Sequence, residues 1–199
     1  MFVALAMCAL SAGVWLAQRA RPVDLWIIPA YLVVANVVEY LVHRLLMHRP
    51  LWPRRLYRGH TLGHHRAFHH DSMELATWRE LQLVFMPMFT MVLLFGGMAP
   101  TVALLGWTLG PGVAGLWALT AVLTFVGYEA MHALYHLPVR LLRRSGLLRS
   151  RAFRFLYRHH LHHHRLHRMR WANFNISLPL SDWVFGTMEL DVEAKTRAR

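Results

Sequence analysis

The chain has 199 residues, of which 56% are hydrophobic and 16% charged, and its formal net charge is +12. Soluble domains carry about 25% charged residues. The lower share here, with a mean hydropathy of +0.30, argues against an ordinary soluble domain and for an integral membrane protein. The excess arginines flank apolar runs, so they read as cytoplasmic charge against anionic lipid head groups and not as a nucleic-acid surface.

Residues 2–17 are apolar and uncharged, and Gln18, Arg19 and Arg21 end the run. No basic segment precedes it, so it reads as a short first membrane helix, about 2–18, in preference to a cleaved signal. The run holds Cys8, the one cysteine. That excludes an intrachain disulfide and a cysteine-built zinc site, so histidines and carboxylates must hold any metal. Pro22-Val-Asp24 opens a second span, about 23–47, in which Pro29 is expected to cause a kink. The span carries Glu39 one turn before His43. An ionisable residue there is a functional candidate, and a carboxylate in that place suits the orientation of a metal-bound histidine. The plainer reading pairs Glu39 with Arg44 or solvent. His43 and His48 are five apart, which puts them on different sides of a regular helix. Both can reach one metal only from an irregular helix end, and Arg49-Pro50 predicts one.

Residues 49–80 are basic, aromatic and polar. His60 and His64 share a helix face, whereas His65 points elsewhere, toward a second metal. His69, His70 and Asp71 read as surface groups or as hydrogen-bond partners of ligands. A third span, about 82–105, is expected to kink at Pro87, Gly96-Gly97 and Pro100. The turn that follows runs from Gly106 to Gly115 and centres on Gly110-Pro111-Gly112. The fourth span, about 113–137, ends with Glu129, His132 and His136 on one face. Residues 138–170 hold ten arginines among Leu, Phe, Tyr and Met, a pattern that suits an interfacial helix lying on the membrane. Within it, six of the eleven residues from Tyr157 to His167 are histidine. His160, His163 and His164 share a helix face and form a metal-binding surface. His159, His162 and His167 crowd the cluster without assigned roles. Residues 189–199 read as a frayed polar tail.

Two helical hairpins then deliver their histidine-bearing ends to one side. Of the 22 Lys and Arg, only Arg19 and Arg21 fall opposite, so the histidine side is expected in the cytoplasm. The expected fold is all-α: one domain over 1–199, with four transmembrane helices and a cytoplasmic helical cap carrying a histidine-rich two-metal site. Ten histidines in four clusters exceed what one ion takes. Imidazole suits iron, zinc, copper and nickel, and spacing does not separate iron from zinc. A site this large at a membrane boundary fits redox chemistry better than a structural zinc.

His43-x4-His48, His60-x3-His64-His65, His132-x3-His136 and His160-x2-His163-His164 resemble the motifs of the fatty acid hydroxylase / sterol desaturase superfamily. Glu39-Tyr40, Tyr128-Glu129 and Asp182-Trp-Val-Phe-Gly-Thr187 resemble its flanking sequences, and the resemblance covers about residues 35–188. It implies a membrane di-iron oxygenase that hydroxylates a lipid C–H bond, on a fatty acyl chain or a sterol-like molecule, with dioxygen. The ligands would be those ten histidines, with Glu39 and Glu129 hydrogen-bonding to them from outside. Electrons would come from a separate protein of the cytochrome b5, ferredoxin or rubredoxin kind. A carotenoid hydroxylase and a desaturase are neighbouring readings. A non-enzymatic metal-binding or transport protein belongs to another class, and midplane ligands would mark a transporter. A hydrolytic zinc enzyme lacks its H-E-x-x-H helix here.

Overall fold

A computed structural model of the protein describes residues 2–189, and the side chains of residues 10–189. The expected polar tail beyond 189 lies outside the described residues. Every regular element among them is helical. The main helices are α1 (Phe2–Ala17), α2 (Ile27–Leu41), α3 (Arg54–Gly59), α4 (His65–Ala67), α5 (Leu81–Val84), α6 (Met88–Thr108), α7 (Pro111–Tyr135), α8 (Val139–Arg144), α9 (Arg151–His163) and α10 (Leu180–Val184). π-Helices follow α2 at Val42–Met47 and α3 at His60–His64.

Among the described residues, three helical stretches are long and apolar enough to cross a membrane: Pro22–Met47, Trp78–Thr108 and Pro111–Tyr135. The expected first span forms α1, whose 16 residues fall short of the about 20 a crossing needs. The other boundaries differ from expectation for local reasons. Pro29 does not break the second span, because it sits in the first turn of α2, where a missing N–H removes little. A 3-10 turn at Pro22–Trp26 leads into that helix. The Asp24 carboxylate caps the turn, accepting from the Arg21 amide at 2.8 Å and from its guanidinium at 2.9 Å. Pro87 separates α5 from α6, yet α6 runs unbroken through Gly96-Gly97 and Pro100. The expected long turn shrinks to Leu109 and Gly110. Gly110 adopts φ +102°, which glycine tolerates and other residues rarely do, and Pro111 opens α7.

By their contacts the residues divide into two compact units. One holds Met1–Ala35 and Met86–Gly127. Ile27, Val113 and Leu116 form its core, with Ala17, Ala20, Leu105 and Trp117 against them. Gly112 and Gly115 lie inside α7, where a Cβ would come within 2.7 Å of the Arg19–Ala20 and Leu16–Ala17 backbones. They let two chain segments touch backbone to backbone, as small residues do in membrane helix packing.

The other unit holds Asn36–Phe85 and Tyr128–Arg199. Met73, Tyr135, Leu142, Phe153 and Ile176 form one apolar cluster, and Phe68, Leu75 and Val84 a second. α9 is capped by the Ser150 hydroxyl, which accepts from the Phe153 amide at 3.3 Å. One face of α9 turns into the protein. Its Phe153, His159, His160, His162 and His163 are all buried within the protein, where the imidazoles meet partners from other segments.

Candidate metal centre

Two of the four histidine motifs depend on a helix of unusual pitch. A π-helix bonds residues five apart and returns them to one side. The first π-helix, Val42–Met47, thus brings His43 and His48 together, with ring centroids 4.9 Å apart. This is the irregular helix end the H-x4-H spacing requires. The second, His60–His64, does the same for His60 and His65, whose Nε2 atoms lie 3.1 Å apart. The regular α7 and α9 instead pair residues four apart. The ring centroids of His132 and His136 are separated by 5.1 Å, and the Nε2 atoms of His160 and His164 by 3.0 Å.

The ten histidines assemble into two groups of five. His43, His48, His60, His65 and His163 form one, and His64, His132, His136, His160 and His164 the other. In each group the ligand-type atoms lie within 4.8 Å of one another. All ten are buried except the half-buried His60. The two groups touch: the His65 and His164 rings stack at 4.4 Å. Two expectations change. His60 and His64 do not act together, because the π-helix aligns His60 with His65 and sends His64 to the second group. Nor do the last three histidines serve one surface: His160 and His164 join the second group and His163 the first.

Hydrogen bonds fix the tautomers. The Nδ1 atoms of His64, His136, His163 and His164 donate to the carbonyls of Leu83, Met73, Ala172 and Phe68, at 3.0, 2.8, 2.8 and 2.7 Å. His43 Nδ1 donates to the Phe174 carbonyl. A carbonyl only accepts, so each Nδ1 carries the proton and each Nε2 is left with a lone pair. The Nε2 atoms of His64 and His164 then face each other at 3.3 Å with no proton between them. Such a contact is repulsive unless a cation lies beside both. Both ring nitrogens of His132, and Nδ1 of His65 and His160, are buried with no hydrogen-bond partner, a costly state that ligation relieves in part.

These residues fit a metal ion in each group. Nitrogens about 2.0–2.1 Å from a shared ion stand about 3 Å apart when adjacent, and the Nε2 pairs here stand 2.8–3.3 Å apart. The protonation state fits too. Burial, reinforced by neighbouring imidazoles, holds His48, His60, His64, His65, His160 and His164 well below the ordinary 6.5. Burial does the same for His163, and takes His136 to about 4. All eight are neutral at neutral pH, the form that binds metal.

A pH dependence follows with a definite sign. The folded protein resists protonation at these sites, whereas the unfolded chain takes up protons as pH falls through 6.5. Stability is therefore complete above about 6.5 and falls below it. In metal-free protein in detergent, the unfolding temperature should drop steadily from about pH 7 to about pH 5. A flat profile would show that these imidazoles are not held neutral by burial.

Residues 28–187 match the family described as fatty acid hydroxylase. The chain belongs to the fatty acid hydroxylase family. Comparison with curated proteins and with solved structures returns no match. The family is an oxidoreductase group of hydroxylases and desaturases, and its matched region contains both five-histidine groups.

In this fatty acid hydroxylase relative, a buried polar network holds the first group in place. Asp182 accepts from the amides of Phe174 and Asn175 at 2.9 and 2.7 Å, from Thr187 Oγ1 at 2.7 Å, and faces His159 Nε2 at 3.2 Å. It thereby fixes the 172–175 loop, whose Ala172 and Phe174 carbonyls orient His163 and His43. Asn173 sits at φ 59°, and its side chain bonds to the His159 carbonyl and to both backbone groups of Glu189. Glu39 lies one step further out than expected: it accepts from the Ile176 and Ser177 amides and the Ser177 hydroxyl, and bonds to no histidine. Glu129 is half-buried on α7, one turn before His132. His159 and His162 stand outside both groups, facing Asp182 and Glu189. His70 pairs with the exposed Asp71, and neither His69, His70 nor His167 joins a group. Sequence reading missed Asn36, Asn173 and Asn175. An asparagine inside an apolar span was the available signal, since such a group is costly unless paired.

Proposed function

We propose that this protein is a membrane di-iron oxygenase that hydroxylates a C–H bond of a lipid, a fatty acyl chain or sterol-like molecule. His43, His48, His60, His65 and His163 would hold one iron, and His64, His132, His136, His160 and His164 the other. The observation that carries the reading is the pair of touching five-histidine groups with inward lone pairs, in a chain of the fatty acid hydroxylase family. When bound, the irons supply activation of dioxygen. One oxygen atom enters the C–H bond and the other leaves as water, with two electrons and two protons consumed.

The chain's own residues do the rest. Carbonyls of Phe68, Met73, Leu83, Ala172 and Phe174 lock the imidazoles in their binding tautomer, as such outside contacts do at metal sites. Burial of nine of the ten rings excludes water, which protects a reactive oxidant from side reactions. The rings are neutral, so they leave the charge of the ions uncompensated, and Asp182 is the buried carboxylate closest by hydrogen bonding to the loop beside the first group. Electrons would come from a separate small redox protein on the cytoplasmic side, where the positive-inside rule places the arginine-rich face. That face would also meet anionic lipid head groups.

The test is metal content of protein purified in mild detergent with no metal added, followed by lipid analysis under isotopically labelled dioxygen. About two irons per chain, as an all-imidazole set permits, and one labelled oxygen in a new hydroxylated lipid are expected. Zinc alone after growth in iron-rich medium, or a changed carotenoid with unchanged lipids, would overturn the reading. A new double bond with no label would move it to desaturation.

A further inference from the structure

The segment from Leu178 to Phe185 leaves its apolar side chains outside. Leu178 is 64% exposed, Trp183 67%, Val184 60%, Phe185 51% and Leu180 46%. Five large apolar residues within eight positions, three of them consecutive, form an unusual surface for water. No charged side chain breaks it, since Asp182 is fully buried.

Polar groups of this stretch and of the residues just before it turn the other way, onto α2. The Ile176 and Ser177 amides and the Ser177 hydroxyl bond to Glu39. The Ser181 amide and hydroxyl bond to Asn36 Oδ1 at 3.0 and 2.8 Å, and Asn36 Nδ2 donates to the Leu178 carbonyl at 2.7 Å. Asn175 Nδ2 reaches the Asn36 backbone carbonyl at 3.0 Å.

Asn36 and Glu39 belong to the apolar stretch Pro22–Met47. At 1.5 Å per residue Asn36 lies about 16 Å before its end. A segment tied to that position lies alongside the apolar stretch, at hydrocarbon depth and not above it. Irregular backbone is tolerated there only when its polar groups are satisfied inside the protein, which is what Asn36 and Glu39 accomplish. The same requirement explains two polar residues in the middle of an apolar span.

We propose that Leu178–Phe185 is a membrane-inserted wedge, its exposed side chains covered by the acyl chains of bilayer lipid. The wedge continues through residues 172–176 to the carbonyls that orient His43 and His163, so the lipid-facing surface and the first histidine group share one stretch of chain. The inference rests on the membrane reading and not on the reaction or on the metal. It stands or falls separately from the proposed oxygenase.

The test uses the full-length protein in phosphatidylcholine vesicles. Cys8, the one native cysteine, is replaced by serine, and an environment-sensitive fluorophore is attached in turn to Val184→Cys, Leu178→Cys and Arg170→Cys. Nitroxides on the lipid chains should quench the fluorophore at 184 and 178 several-fold more than aqueous iodide does, and the order should reverse at 170. Iodide quenching at 184 and 178 equal to that at 170 would place the segment in water. Protection from both quenchers at those two positions would show a protein partner or a second copy on the surface. Either result overturns the proposal.

Discussion

Replacing His163 with alanine should abolish substrate oxidation and lower the bound metal, whereas His70→Ala should change neither. His163 comes from α9, but it completes the group built by the two π-helices. Its Nε2 lies 3.0 Å from that of His48, and its ring meets those of His43 and His65 at 4.6 and 4.9 Å. Its Nδ1 proton is committed to the Ala172 carbonyl, so the ring cannot offer its other nitrogen instead. Loss of a group that merely orients a ligand costs about 10–100-fold in metal affinity or activity, and loss of a ligand should exceed that. His70 pairs with the exposed Asp71, outside both groups. Metal analysis and product formation on the two purified variants make the check. Full activity and undiminished metal in His163→Ala would remove that residue from the centre.

The second large effect is expected at a residue that belongs to neither group. Asp182→Ala should lower both stability and metal retention. The carboxylate serves the Phe174 and Asn175 amides, the Thr187 hydroxyl and His159. Each donor left buried without an acceptor costs about 1–3 kcal/mol, so the sum reaches several kcal/mol. The loop they hold carries the carbonyls for His43 and His163, and a loss of about 10–100-fold in metal affinity should accompany the destabilisation. Asp182→Asn keeps the shape and one acceptor but turns an NH2 toward the remaining donors, so it should fall between wild type and alanine. Unfolding temperature and metal titration in detergent give both readouts. A variant that unfolds earlier yet binds metal as tightly as wild type would show that the loop does not orient the ligands.

Much of this was legible in the sequence because membrane spans and histidine spacing are coarse signals. Long apolar runs place α6 and α7, and the ten histidines stand out by number and order. Their partition between two groups was not legible. It depends on whether a helix turns in 3.6 residues or opens into a π-helix; the H-x4-H spacing and Arg49-Pro50 called for an irregular end after α2, but nothing in His60–His64 announces the wider turn. With regular helices His60 pairs with His64. With the π-helix it pairs with His65. Glu39 was visible as a functional candidate, but its partner lies more than a hundred residues away in the chain. Spacing within one helix could not show that it serves the Ile176–Ser177 backbone and not His43. The 16 residues of α1 read as a span because they are apolar; length is what they lack.

The split of the motifs also bears on how the centre is made. His64 stands between two residues of the first group yet belongs to the second, and His163 stands between two residues of the second yet belongs to the first. A nascent chain that has released only its membrane spans holds four members of the first group and three of the second. Both sets close with the arrival of α9, one receiving His163 and the other His160 and His164. α9, which leaves the ribosome after every membrane span, is thus the keystone of both halves, and neither half is finished while the other is open.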